Sequence, residues 1–235
     1  MGLLRNVLIT LVIIVVLYYI IVWLFRKSTQ LTTLQNANLM QTIKADTLSN
    51  NNNTSNFAYS TWFYVDDWNY RFGEEKTLLK RGETGFGIAL GAMKNNLSIT
   101  VDCYPQNQQT GVLGNKSVAH SCDVDNFPLQ KWVNLTVSVY GRTLDVYIDG
   151  KLVRTCVLPG VAKVDPANDI IVTPNGGFHG YTGNFQYWQN ALNPQQAYNI
   201  YKDGYGGSFF GNLFNKYRVK ISFLEDNQEK GSFEF

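Results

Sequence analysis

"GRTLDVYIDGKLVRTC", residues 141–156, decides the fold class. Apolar and polar residues alternate through Leu144, Val146 and Ile148, the period of a strand with one buried face. Asp149 and Gly150 then supply two positions that accept positive φ, as a type I′ turn requires, and Leu152 and Val153 begin the returning arm. The segment reads as a β-hairpin, and a hairpin needs further strands of the same kind to bury its apolar face.

Those strands recur from Phe57 onward. "FAYSTWFYV" (57–65) sets Phe57, Tyr59, Thr61, Phe63 and Val65 on one face and Trp62 and Tyr64 on the other. "KTLLKRG" (76–82), "FGIALGA" (86–92), "NLSITVDCY" (96–104), "WVNLTVSVYG" (132–141), "DIIVTP" (169–174), "GNFQYWQ" (183–189) and a last strand, "YRVKISFLE" (217–225), complete the series. Spacings of roughly 8–14 residues, with Gly, Asn or Pro between the runs, indicate an antiparallel sandwich rather than a parallel sheet with crossover helices. One stretch of this part reads as a helix: in "NPQQAYNIYKDG" (193–204) Asn193 caps, Pro194 takes the first turn and Gly204 ends it.

Composition agrees. Of 235 residues 45% are apolar and only 16% charged, enough for a sizeable core. The net charge of +2 has no dense basic run, which argues against nucleic acid as a partner.

The beginning of the chain departs from this pattern. From Val7 to Phe25 only Thr10 is neither apolar nor aromatic, and a helix of that length nearly spans the roughly 30 Å hydrocarbon core of a bilayer. Arg26 and Lys27 follow directly, where a cleaved signal peptide would place small residues, so the segment is expected to be a retained transmembrane helix. Basic residues are nearly balanced across it, which leaves its orientation open. The expected organisation is an anchor over 1–27, a polar linker over 28–37, and a sandwich over 38–235 with a C-terminal extension from 206.

The order of "FAYSTWFYVDDWNY", "NLSITV", "LQKWVNLTVSVYGRTLDVYIDGKLV" and "GGFHGYTGNFQYWQNALNPQQAYNIYKDG" resembles the laminin-G-like or concanavalin-A-like jelly-roll domain. The match covers roughly residues 38–205. The tail and the anchored layout resemble membrane-anchored proteins of large double-stranded DNA viruses, phycodnavirus-like in type, among them minor capsid proteins. The resemblance implies a non-enzymatic interaction protein of the virion, linking an internal membrane to the capsid shell, with its C-terminal domain outside the bilayer. The alternative is a membrane-displayed lectin that binds glycans.

Chemistry of other kinds finds little support. Retaining glycosidases need two carboxylates about 5 Å apart. In enzymes related to this fold these lie as Glu-x-Asp-x-x-Glu on one strand, a spacing the sequence lacks. His120 and His179 sit in no nucleophile motif, and the cysteines and histidines lack zinc spacing. Calcium is the one cofactor the resemblance allows, with Asp66, Asp67, Asp123 and Asp125 as candidate ligands against ordinary turn-forming roles. The resemblance also places Cys122 and Cys156 on neighbouring strands, where they would pair and leave Cys103 over. Three reduced, buried thiols are the competing reading. Five Asn-x-Ser/Thr sequons, at Asn52, Asn53, Asn96, Asn115 and Asn134, are mostly what an Asn-rich chain produces by chance. Two aromatic groups form a candidate binding surface: Trp68, Tyr70 and Phe72 after a strand end, and Phe178 and Tyr181 in a Gly-rich loop.

Overall fold

A computed structural model describes residues 2–24, 30–48, 55–105, 117–205, 220–225 and 228–234. Twelve strands build two antiparallel sheets. In chain order they are β1 (Gln35–Asn36), β2 (Gln41–Ile43), β3 (Asn56–Asp67), β4 (Lys76–Arg81), β5 (Phe86–Leu90), β6 (Leu97–Cys103), β7 (Val118–Val124), β8 (Trp132–Tyr140), β9 (Thr143–Ile148), β10 (Lys151–Val157), β11 (Ile170–Val172) and β12 (His179–Trp188). Sheet A runs β1-β12-β3-β8-β9-β10 and sheet B runs β2-β11-β4-β5-β6-β7. The protein is therefore a mainly-β antiparallel sandwich of jelly-roll type. A separate hairpin, β13 (Lys220–Glu225) with β14 (Gln228–Glu234), lies within the expected extension.

The hairpin of 141–156 forms as its sequence dictates. Asp149 and Gly150 adopt φ of 50° and 72°, and β9 pairs with β10 across them. The Asp149 carboxylate also accepts the Asn134 N–H at 3.0 Å and meets Lys131 Nζ at 3.0 Å, so the turn is tied to the start of β8. Asn134 itself is fully buried and donates to Ser60 Oγ, which removes its sequon from the surface.

The core lies between the sheets. Phe57, Tyr59, Phe63 and Val65 of β3 point inward with Phe86, Ile88, Ile99, Val101, Leu135 and Val137, all essentially inaccessible. Burial of each such side chain contributes on the order of 1.5–3 kcal/mol. Two cations, Lys76 and Arg81, are buried among the described residues, and the guanidinium of Arg81 meets Tyr59 Oη at 3.1 Å and the carbonyls of Asn168 and Pro166 at 3.3 and 3.1 Å. Burial pushes the Tyr59 phenol up to about 12, so it stays neutral beside that charge.

Each pair of sheet edges is joined. At one side β10 and β7 are linked by a disulfide between Cys156 and Cys122, while Cys103 is free and buried. At the other, residues 30–43 give β1 to sheet A and β2 to sheet B. This segment joins the fold earlier than the linker expected over 28–37. Gln30 bridges to Gln186, the Leu31 N–H donates to Phe185 O at 2.8 Å, and Thr32 Oγ1 accepts the Phe185 N–H at 3.2 Å.

Two α-helices complete the described residues. α1 (Gly2–Leu24) has 23 residues. Its side chains are described over 9–21. Those 13 positions are fewer than a crossing helix needs, so among the described residues no helix is long and apolar enough to cross a membrane. α2 (Pro194–Asp203) starts with a capping box, Asn193 Oδ1 accepting the Gln196 N–H and Gln196 Oε1 accepting the Asn193 N–H. It packs on the outer face of sheet A, where Tyr201 stacks on Trp62 at 5.8 Å and Ser138 bonds the backbone of Leu192.

Candidate functional site

A groove of about 310 Å³ runs over the outer face of sheet B, along β5. Inward-facing Phe86, Ile88 and Leu90 alternate with outward-facing Gly87 and Ala89, so the floor is almost without side chains. The neighbouring strands supply the walls. Lys80 on β4 and Thr100 on β6 stand opposite Gly87, and Thr77 stands opposite Ala89. Glu83 and Thr84, in the turn from β4 to β5, and Asp102 close one end, while Glu75 lies at the other. The Asp102 N–H donates to Gly85 O at 2.7 Å, and its carboxylate accepts the Ser117 hydroxyl at 2.9 Å, which fixes that end.

Gly87 is the residue the fold does not explain. Its backbone is ordinary strand, and a Cβ added there would meet only Thr100 Oγ1 at 3.7 Å and Leu79 O at 3.9 Å, which are normal contact distances. Glycine inside a strand costs about 0.5–1 kcal/mol relative to alanine and marks places where something else approaches the backbone. Neither conformation nor crowding requires it here, so its effect is to keep the floor open. Three carboxylates (Glu75, Glu83, Asp102), three hydroxyls (Thr77, Thr84, Thr100) and one ammonium (Lys80) surround that floor. Such walls exchange hydrogen bonds with a hydroxyl-rich ligand and repel a polyanion.

The residues singled out in the sequence lie elsewhere and do not form one surface. Phe178 must be withdrawn from it. Its side chain is fully buried, edge-on to Phe63 at 6.3 Å, because the N–H of Phe178 bonds Ala37 O and turns the residue inward before β12 begins. Trp68 is half-buried against Phe127 at 5.9 Å, with the Lys76 ammonium 4.7 Å from its ring. Lys76 is almost completely inaccessible, and burial holds its ammonium below the usual lysine range. Tyr70 donates to Gly176 O at 3.2 Å and Arg71 to Asn175 O at 2.6 Å, so the two aromatic loops do meet, through backbone carbonyls. Phe72 and Tyr181 are exposed, at 58% and 43%.

The four aspartates do not assemble as a calcium site. Asp66 lies 3.4 Å from His179, Asp67 accepts the Asn69 N–H, and Asp123 accepts the Ser121 hydroxyl on the other sheet. Asp125 lines a separate depression with Asp123 and Arg154. Among the described residues no three acidic, histidine or cysteine side chains group as metal ligands. The groove was missed because "FGIALGA" (86–92) reads simply as a strand. The signal available was the strict alternation of Gly and Ala with large apolar residues.

A family model described as the concanavalin A-like lectin/glucanases superfamily matches residues 38–197. The chain belongs to this superfamily. The two-sheet architecture of this superfamily member also agrees with the botulinum neurotoxin serotype D binding domain, at 14% identity and a TM-score of 0.51, over 74% of this chain and 47% of that one. A serotype D/C binding domain aligns at 15% identity and 0.48, over 74% and 46%. The receptor binding domain of a C/D mosaic serotype aligns at 14% and 0.48, over 64% and 37%. The chain thus spans less than half of each of these solved structures. No curated protein matches the sequence.

Proposed function

We propose that this lectin/glucanase-superfamily domain binds a neutral oligosaccharide in the groove along β5 and is held at a membrane by α1. Gly87 carries the reading: it leaves open a floor of about 13 Å from Gly85 to Ala89, given the ~3.3 Å rise of a strand, and so admits an extended chain of pyranose rings. At about 310 Å³ the site lies at the small end of the range for ligand pockets. The excess of carboxylates selects against sialylated or sulfated glycans. Anchorage rests on the 23-residue α1 and on the apolar run Val7–Phe25. Placement in a virion, with contacts to a capsid shell, is a proposal that rests on the sequence resemblance.

The test is an oligosaccharide array followed by calorimetry with the full chain and its Gly87→Val variant. The valine side chain fills the floor without requiring a new backbone conformation. Affinity for the best neutral glycan should fall by about tenfold or more, equivalent to about 1.4 kcal/mol, with no loss of thermal stability. A variant that binds as the native chain does would remove the groove from consideration, and an array without any neutral binder would remove the lectin reading.

A further inference from the structure

The outer face of sheet A carries a patch that the groove does not use. Tyr181, Tyr64 and Trp132 stand directly opposite one another on β12, β3 and β8, with ring centroids 6.4 and 5.6 Å apart. Tyr205 stacks on Trp132 at 4.5 Å with the ring planes 10° apart. Beside this row Leu34 occupies the space left by Gly183, whose added Cβ would sit 3.2 Å from the Leu34 Cα and 3.5 Å from its Cδ1. Leu34 is 56% exposed and Tyr181 43%. α2 covers the adjoining part of the sheet, stacking Tyr201 on Trp62, and among the described residues leaves Leu34 and Tyr181 next to β1 exposed.

We propose that this corner rests on the headgroup region of the bilayer that α1 enters, an inference that depends on α1 being the anchor proposed above. The short connection argues for it. α1 ends at Leu24 and Gln30 is already bridged to Gln186. Six residue steps reach at most about 22 Å even when fully extended. Leu34 follows four residues later, about 13 Å along the strand direction. The side chains present have the matching chemistry. Tyr and Trp combine an apolar ring with a polar tip, the combination favoured where hydrocarbon meets headgroups, and Leu34 adds purely apolar surface. With sheet A against the lipid, the groove of sheet B faces away from the membrane.

The full chain, reconstituted as one copy per phosphatidylcholine nanodisc, tests this with lipids brominated near the headgroup end of their acyl chains. Wild type minus Trp132→Phe gives the emission of Trp132, and wild type minus Trp23→Phe gives that of Trp23 within α1. The expected result is bromine-dependent loss of both signals. Leu34→Asp combined with Tyr181→Asp should restore Trp132 emission and leave Trp23 quenched, with an unchanged far-ultraviolet circular dichroism spectrum and an unchanged thermal unfolding midpoint. Quenching of Trp23 without Trp132 would overturn the inference and keep the anchor. Quenching of neither, with the protein released from the discs, would overturn both.

Discussion

Reduction of the Cys122–Cys156 disulfide is the perturbation whose cost follows most directly from the topology. The bond spans 34 residues and joins edge strands of different sheets, β7 of sheet B and β10 of sheet A. Closing a loop of that length removes unfolded-chain entropy worth about 3.8 kcal/mol at 25 °C. With a urea m-value of about 2.5 kcal/mol/M, the midpoint should fall by about 1.5 M on reduction. The assay is urea denaturation of residues 30–205, followed by tryptophan fluorescence, oxidised and in reductant. Comparing the two redox states keeps the sequence and both sulfurs in place, which matters because Cys122 is almost completely buried. A Cys122→Ala, Cys156→Ala pair should match the reduced protein to within the small cost of the lost sulfurs. An unchanged midpoint would refute the reasoning and show that β7 and β10 are held together without the bond.

Three further changes probe the groups inside or against the sandwich. Tyr59→Phe takes from the buried Arg81 guanidinium one of its oxygen partners, the hydroxyl at 3.1 Å, and should cost about 1.5–3 kcal/mol, read by denaturant titration. Lys76→Met should be neutral to stabilising by about 1 kcal/mol at pH 7, because it removes a charge that burial disfavours. Since the folded pKa of Lys76 lies below its unfolded value of 10.5, the unfolded chain binds more protons between the two, and native stability should rise with pH through that window. The methionine variant should lose this rise in a stability-versus-pH series. Asn193→Ala breaks the capping box and should cost about 1 kcal/mol, loosening the cover that Tyr201 places over Trp62, as hydrogen exchange of α2 would report.

What the sequence disclosed and what it hid divide along physical lines. The hairpin of 141–156 and the long strand at 57–65 are legible because alternating side chains specify both the element and its buried face. β1 is not, since Gln35 and Asn36 carry no apolar pattern and are fixed by pairing with Thr182 and Tyr181. Phe178 misled because an aromatic residue among glycines looks exposed, and only the bond from its N–H to Ala37 O shows which way it turns. The groove escaped for the opposite reason. It is made by side chains that are absent, at Gly87 and Ala89, and absence becomes a site only when the walls on β4 and β6 are set beside it.

The early attachment of residues 30–37 has a mechanical consequence. Tension entering from the N-terminal side is met first by the bonds of Gln30, Leu31 and Ala37 to β12, and sheet B is loaded only through β2, further along the chain. The segment behaves as a tear-away strap. Peeling its eight residues from sheet A would free roughly 26 Å of chain at ~3.3 Å per residue while β2 stays paired to β11, so such a pull would be taken up at β12 before it reached sheet B.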